Sequence, residues 1–435
     1  MKFKKSITAI FLTALAAMTV IGCSDDDSNP VLSPSATTSV RVIHTSYDAP
    51  AVDIAVDGAK AITSLSYGIS SGYAEIGAGM RQIDVTPAGA TSPVVIGASL
   101  DFNVDQSYTV YAVNNLDNIT AVVSVDDRTS LSDKARIRFL HASPDAPAVD
   151  IRLNDGNGAA VFGNAAFTDI SDYVPVNGGT YTFAVTAAGQ NDALLIFDPI
   201  TVADGGVYTV VAHGSFDNSD SYPFAVRVFV DNDPGDQFVD MSFGTSKVRV
   251  VHASPDAPGV DLKVDMVTVN SAALTFPNFT DYLDVNAGSR NLMVSASGGG
   301  PTVIDATVPF SLGGAYTIFA VDELANIEPL VLSDNLATPA SGIAHIRFVH
   351  LSPDAPAVDI TTGNGSVTLF NDVAFKGSVD FTPVAAGTYP IEVRDASGST
   401  VVLDLGNITL ADGMIYTVYA HGFLSSLSAG IITYN

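Results

Sequence analysis

Cysteine, tryptophan and basic side chains are scarce in this sequence, and each scarcity excludes a class of structure or partner. The 435 residues include 1 Cys and no Trp, so no intrachain disulfide can form, and the aromatic surface that sugar-binding sites favour is limited to Tyr and Phe. Lys and Arg total 19 against 46 Asp and Glu, a formal net charge of −27. That balance argues against nucleic acid as a partner, because binding to phosphates depends on Lys and Arg.

One ten-residue stretch, which we call the motif, occurs four times. It reads HTSYDAPAVD, HASPDAPAVD, HASPDAPGVD and HLSPDAPAVD, and in every copy an Arg stands three residues before the His. The copies recur at roughly 100 residues, which is too long for a solenoid repeat and is the size of a domain with its own core. The sequence therefore predicts four tandem domains, at residues 39–128, 134–233, 245–335 and 343–435.

The Arg, the His and two Asp residues of each copy are the candidate site residues. They are Arg41, His44, Asp48 and Asp53 in the first copy, Arg138, His141, Asp145 and Asp150 in the second, Arg249, His252, Asp256 and Asp261 in the third, and Arg347, His350, Asp354 and Asp359 in the fourth.

The N-terminus has the pattern of an export signal. A basic start is followed by an uncharged apolar run over residues 6–21 and then by Gly22 and Cys23, which predicts a secretory signal peptide at residues 1–22. The position of the sole cysteine resembles the lipobox of bacterial lipoproteins. The resemblance implies that Cys23 becomes the lipid-modified first residue and attaches the protein to the membrane.

Residues 23–38 are polar and acidic, and they predict a flexible tether. The run of Asp25 to Asp27 resembles an acidic signal for export to the outer surface. We therefore expect a protein of the cell envelope, lipid-anchored in the outer membrane and exposed at the surface.

Strand patterns dominate the four repeats. Runs such as Ile137–His141 alternate with period two, which places the His on an apolar face and the Arg on the opposite face. The Pro-Asp-Ala-Pro turn ends this strand. Later in each repeat, a Gly or Asp105 stands three residues before a Tyr, a spacing that resembles the tyrosine corner. About seven short strands per repeat predict four tandem all-β sandwich domains of Greek-key or immunoglobulin-like type.

The repeats also alternate in one feature. His213 and His421 end the strand that follows this Tyr in copies two and four, whereas Val113 and Val321 stand there in copies one and three. The alternation indicates a two-domain unit that was duplicated.

The motif, together with the later Ala-Gly-x-Tyr and Tyr-Thr-Val pieces, resembles the signature of the bacterial and archaeal family called domain of unknown function 4397. Val248 to Asp265 nearly reproduces that signature. The resemblance implies secreted or lipid-anchored envelope proteins built of β-sandwich domains. It implies no activity.

Three interpretations of the motif remain open. One His and two Asp within ten residues could bind a divalent cation such as calcium, although no dense D-x-D-x-D-G loop is present. A His with Asp and a Ser two residues later could belong to a catalytic triad, although no G-x-S-x-G is present. The third interpretation is structural: the His bonds to the turn backbone or the second Asp, the turn Asp caps the amides that follow it, and the Arg pairs with an acidic group across the strands.

We expect the structural interpretation, and with it a non-enzymatic envelope lipoprotein that has no cofactor, no metal and no catalytic residue. Its partners would be the membrane, through the lipid anchor, and another surface protein or a polysaccharide. The alternatives are a calcium-dependent or carbohydrate-binding module, or an accessory to a surface enzyme system.

Overall fold

The computed structural model describes residues 36–154, 156, 158–216, 222–233 and 237–434. The predicted signal peptide, Cys23 and most of the tether lie outside this range. The first strand begins at Thr37, so residues 37 and 38 belong to a sheet and not to the tether. Within the described ranges, no helix is long and apolar enough to cross a membrane.

Each repeat consists of consecutive β-strands. Repeat 1 contains β1 Thr37–His44, β2 Val52–Val56, β3 Ala59–Leu65, β4 Ala74–Gly77, β5 Gly79–Pro87, β6 Ile96–Phe102, β7 Ser107–Val113 and β8 Thr120–Val125. Repeat 2 contains β9 Ala135–His141, β10 Val149–Leu153, β11 Ala160–Ala165, β12 Val174–Val176, β13 Gly179–Tyr181, β14 Phe183–Ala187, β15 Ala193–Ile196, β16 Ile200–Val202, β17 Val207–His213, β18 Ala225–Val230 and β19 Phe238–Met241. 

Repeat 3 contains β20 Thr245–His252, β21 Val260–Val264, β22 Val267–Thr268, β23 Leu283–Asn286, β24 Gly288–Ala296, β25 Thr302–Phe310, β26 Ala315–Val321 and β27 Glu328–Ser333. Repeat 4 contains β28 Ile343–His350, β29 Val358–Thr362, β30 Val367–Val373, β31 Ser378–Ala385, β32 Gly387–Asp395, β33 Val401–Leu410, β34 Ile415–His421 and β35 Ser428–Tyr434. Short 3₁₀ helices follow the seventh strand of repeats 1, 3 and 4, at Leu116–Asn118, Leu324–Asn326 and Leu424–Ser426.

Two larger sheets form a sandwich in every repeat, and in repeat 2 β13 and β16 form an additional two-stranded sheet. The prediction of tandem all-β sandwich domains is therefore confirmed. The first sheet contains the strand with the motif Arg and His. Its order is β4-β1-β7-β8 in repeat 1, and the corresponding strands have the same order in repeats 3 and 4, as β23-β20-β26-β27 and β31-β28-β34-β35. The second sheet contains the strand with the second motif Asp, in the order β3-β2-β5-β6. In repeat 2 the segment before repeat 3 forms β19, which adds a fifth strand to the first sheet beside β18.

The two central strands of each first sheet run parallel, as β1 and β7 do in repeat 1. Strands of this kind are usually buried on both faces, and Val40–His44 is buried without interruption. One face, with Val40 and Val42, packs against the second sheet of the same repeat. The other face therefore needs a separate partner.

That partner is the first sheet of the other repeat in the same pair, repeat 1 with repeat 2 and repeat 3 with repeat 4. Ile43 and Tyr111 of repeat 1 pack against Leu140, Val211 and Phe229 of repeat 2 in one apolar cluster. Repeats 3 and 4 form a corresponding cluster that includes Phe319 and Tyr419. The predicted two-domain unit is thus a pair of sandwiches joined face to face through their first sheets.

Repeats 2 and 3 meet through a smaller contact. Ala287 is fully buried beside Ile196, and Phe197 pairs with Phe243 of the connecting segment. Gly288 has a φ of +107°, and a Cβ built there would lie 2.7 Å from the carbonyl oxygen of Leu194. Only glycine allows the two backbones to approach this closely.

Candidate functional site

The motif His closes its own turn. Nε2 of His44 lies 3.0 Å from the carbonyl oxygen of Pro50, six residues later, and the same contact recurs in the other copies at 3.1, 2.9 and 3.0 Å. Because a carbonyl can only accept, Nε2 carries a proton and donates to it. Burial lowers the pKa of all four histidines, and the Pro carbonyl only partly opposes this shift.

Four buried histidines that each bond to a Pro carbonyl have no exposed face for chemistry. Their exposed fractions are 0 or 1%. Of the two partners expected for the imidazole, the structure confirms the turn backbone and not the second Asp.

The first motif Asp lies at the surface and caps a different loop. Asp48 Oδ1 accepts from the backbone N–H of Leu116 at 2.6 Å, at the start of the 3₁₀ helix after β7. Asp256 and Asp354 make the same contact to Leu324 and Leu424. The expectation that this Asp caps the amides directly after it is wrong, because its side chain points across to the loop that leaves the parallel neighbour strand.

The second motif Asp fixes two turns of the second sheet. Asp53 accepts from the N–H groups of Ser64 and Gly89 and from Lys60 Nζ, at 2.6–2.9 Å. These bonds, with that of Lys60 first, lower the pKa of Asp53 to about 2. Ser64 has a φ of +53°, so the carboxylate holds a β-bulge that breaks the register between β2 and β3. Asp150 does the same at Asn164.

The motif Arg reaches into the neighbouring repeat. Arg41 Nη2 lies 2.5 Å from Asp231 Oδ1, and both side chains have 0% exposure. Arg138 of repeat 2 makes the reciprocal contact, 2.5 Å from Asp126 of repeat 1. We call these ion pairs the clasps. An acidic partner for the Arg was expected across the strands, and the structure places it across the boundary between repeats.

The clasp of Arg138 and Asp126 has several additional hydrogen bonds. Asp126 also accepts from Thr109 Oγ1, from Ser124 Oγ at 2.8 Å and from Tyr73 OH at 2.8 Å. Arg138 donates through Nε to Thr209 at 2.7 Å. A buried pair with such additional bonds holds one geometry, and removing one partner leaves an uncompensated charge.

The pair of repeats 3 and 4 has one clasp. Arg347 lies 2.6 Å from Asp334. Tyr434, the last residue of β35, stands where the reciprocal Asp would be, since Thr433 before it pairs with the corner Tyr as Val125 does before Asp126. Arg249 therefore lies over the rings of Tyr282 and Tyr434, at 4.4 and 5.2 Å from their centroids. Cation–π contact replaces the ion pair at this position.

His213 and His421 lie at the same boundaries between repeats. Nδ1 of His213 lies 2.5 Å from the hydroxyl of Tyr67 in repeat 1, and the ring of His421 lies 5.3 Å from that of Phe276 in repeat 3. Burial, followed by the charge of Arg227, lowers the pKa of His213 to about 4. Both repeats of a pair contribute an aromatic ring at this boundary, since Val113 of repeat 1 lies in one cluster with Phe167 of repeat 2.

Neither a metal centre nor a triad is assembled from the motif. In the described ranges, no three His, Cys, Asp or Glu side chains come together as ligands would. The Ser two residues after the His is buried, and in repeat 2 Ser143 donates to the Gly214 carbonyl at 2.7 Å. A Ser hydroxyl that donates to a backbone carbonyl is not oriented to give its proton to a neighbouring base.

Sequence reasoning missed the acidic halves of the clasps, Asp126, Asp231 and Asp334. A signal was present: each directly follows the strand that pairs antiparallel with the corner-Tyr strand. Asp126 and Asp334 stand at the same spacing after Tyr108 and Tyr316. The corner Tyr itself was recognised. Its hydroxyl accepts from the backbone N–H five residues earlier in all four repeats, at 3.0–3.1 Å.

A protein-family model described as "Domain of unknown function (DUF4397)" matches this chain at residues 38–152, 155–237, 246–361 and 362–435. No curated protein matches it. Among solved structures, the Bacillus anthracis TIE protein is 10% identical, over 88% of this chain and 68% of that chain, with a TM-score of 0.17. The pilus adhesin SpaC from Lactobacillus rhamnosus GG is 14% identical, over 67% and 42%, with a TM-score of 0.15. At these TM-scores neither structure informs the fold or the function.

Proposed function

This chain is a four-domain member of the DUF4397 family, and we propose that it is a non-enzymatic lipoprotein of the cell envelope. Its tandem sandwiches would serve a structural or adhesive, protein-binding role at the outer surface, attached through a lipid on Cys23. The observation that carries this proposal is the use of the motif: in each copy its His and Arg side chains are buried, and their contacts lie within the protein.

The chemistry of the motif supports a structural role. An active site needs a nucleophile or a base that can reach a substrate, and a metal site needs converging ligands. Here the His is bonded to a turn and the first Asp caps a loop. In repeats 1, 2 and 4 the second Asp holds a bulge. All three contacts determine loop geometry at the ends of the sandwich.

The sequence features outside the described range support the location. The signal-peptide pattern, the lone Cys23 and the acidic residues after it are those of an exported and lipidated protein. A net charge of −27 keeps such a surface protein soluble by self-repulsion. Four tandem domains would also place the last repeat away from the membrane.

The location is tested by expressing the full chain and a Cys23→Ala variant in a bacterium that processes lipoproteins. We expect metabolic labelling with an alkyne fatty acid, and digestion by external protease on intact cells, for the unaltered chain only. Labelling that persists in Cys23→Ala, or protection of the unaltered chain from protease, would contradict the proposal.

The expectation that the motif binds no metal is tested by melting residues 24–435 with calcium, with zinc and with EDTA. Since a ligand that binds only the folded state raises the melting temperature, we expect shifts below about 1 °C with each. A shift of several degrees with calcium that EDTA reverses would favour the metal-dependent module instead.

A further inference from the structure

The strand that pairs antiparallel with the corner-Tyr strand differs in its surroundings among the four repeats. In repeat 2 this strand is β18, and β19 covers its open side in an antiparallel ladder from Val226–Met241 to Phe229–Phe238. Among the strands that the structure describes, the corresponding β8, β27 and β35 are terminal in their sheets in repeats 1, 3 and 4. A strand edge of this kind presents unpaired N–H and C=O groups to any chain that can pair with them.

The covering strand changes the exposure of one side chain markedly. Val228 of β18 and Val123 of β8 occupy the same register, opposite Val210 and Val110. Val228 is 4% exposed and Val123 is 38% exposed. The difference arises because Val239 and Met241 of β19 close the core beside β18, whereas no described strand lies beside β8.

Repeat 3 protects its edge in another way. Its β27 begins with Glu328 and Pro329, and Pro329 lies opposite Ala320. A charge and a proline are two devices that prevent strand addition. The same register is occupied by Ala121 in β8 and by Ala429 in β35.

The strands β8 and β35 carry neither device. Their sequences, TAVVSV and SAGIITY, contain no charged residue and no proline. Among the described terminal strands of at least six residues, the others contain a charged residue, a proline or a bulge. Both open edges also expose apolar side chains, since Val125 is 56% exposed and Ile431 is 38% exposed.

The backbone groups on the open side of β8 can be assigned. The Val125 carbonyl accepts from Arg138 Nη1 at 3.3 Å, on the side away from β7, while the N–H of the next residue, Asp126, donates to Ser107 on the β7 side. Because this direction alternates along a strand, the backbone N–H and C=O groups of Ala121 and Val123 also point away from β7. In repeat 2 the equivalent of Val125 is Val230, and its N–H donates to Gln237 at 2.9 Å.

We propose that β8 and β35 are strand-addition sites for a partner protein, which would contribute an extended segment with apolar side chains at alternate positions. The segment would pair antiparallel with the edge as β19 pairs with β18, and its apolar side chains would cover Val123 or Ile431. Main-chain hydrogen bonds supply the affinity in this mode, and the alternate side chains supply the selectivity. The inference deepens the proposed protein-binding role and rests on it for the partner.

The test uses residues 24–435 and a labelled synthetic peptide of residues 237–243, QFVDMSF, which is the segment that covers β18 within this chain. We expect two peptides to bind per chain by titration calorimetry. Ala121→Pro and Ala429→Pro copy the proline of repeat 3, and each should reduce the number to one. The double variant should bind at least tenfold more weakly.

The controls separate strand pairing from misfolding and from other contacts. Proline at an outward-facing amide leaves the ladder to the inner strand intact, so the variants should melt within about 3 °C of the unaltered chain. A peptide with Val239→Pro should not bind. An unaltered chain that does not bind the peptide, or a double variant that binds it equally well, would overturn the inference.

A second copy of the chain is the competing occupant. A dimer in light scattering that Ala121→Pro or Ala429→Pro abolishes would show self-association and overturn the inference of a partner segment. A failure of the proposed function can be distinguished from a failure of this inference. A chain that is not exposed on intact cells would contradict the proposed function, but it would still bind the peptide in solution.

Discussion

Replacing Asp126 by Ala tests the idea that repeats 1 and 2 are held by their clasps. The change removes the carboxylate that Arg138 faces at 2.5 Å, while the Arg side chain remains 2% exposed. Leaving one charge of a buried pair without its partner costs about 3–5 kcal/mol. Tyr73 and Ser124 lose an acceptor as well, so we expect the upper part of that range.

Urea unfolding of residues 24–435 measures this loss when the signal comes from a spectroscopic probe placed in repeat 1 or 2. With a slope of about 1–3 kcal/mol per molar urea for a small domain, we expect the midpoint of their transition to fall by about 1 M or more. The transition of repeats 3 and 4 should not move, because their clasp involves Asp334 and Arg347.

Asp127→Ala is the matched control, one residue further along the chain. Asp127 pairs with Arg136 at 2.7 Å, but its side chain is 55% exposed, and such pairs contribute about 0–1 kcal/mol. A second variant, Asp126→Leu with Arg138→Met, should recover most of the loss, because apolar pairs can replace buried ion pairs. A midpoint for Asp126→Ala that matches that of Asp127→Ala would refute the reasoning.

Three further outcomes follow from the structure. The pKa of His213 is about 4 in the folded chain and about 6.5 when unfolded. The free energy of unfolding of repeats 1 and 2 should therefore be highest above about pH 6.5 and fall toward pH 4. His213→Gln should flatten this part of the profile of urea midpoint against pH. Asp256→Ala should lower the stability of repeat 3 by about 1 kcal/mol in urea unfolding, because the Leu324 amide loses its acceptor. Gly288→Ala should lower the melting temperature more than Gly79→Ala, since both have positive φ but only Gly288 meets a carbonyl at 2.7 Å; equal shifts would contradict the close approach.

Most of the fold could be predicted from local patterns. The period-two runs before each motif His predicted β1, β9, β20 and β28, and the turn chemistry of Pro-Asp-Ala-Pro predicted where these strands end. The burial of the His was likewise visible as an apolar face. These features depend on neighbours along the chain, and one copy of the repeat is sufficient to show them.

The clasps could not be derived in the same way. Arg41 and Asp231 are far apart in sequence, and they meet only because two first sheets pack face to face. The parallel pairing of β1 with β7, which buries both faces of the sheet, was the missing step. The loop contact of the first motif Asp was misplaced for the same reason, since Asp48 and Leu116 become neighbours only through that pairing.

The central claim is that the motif and its clasps make two repeats one structural unit. Native-state hydrogen exchange of residues 24–435, followed by mass spectrometry at increasing urea, tests it directly. We expect the amides of β7 in repeat 1 and β17 in repeat 2 to open with the same free energy and the same urea dependence, as parts of one cooperative unit. Opening free energies that differ by more than about 1 kcal/mol, with β7 exchanging while β17 remains protected, would contradict it.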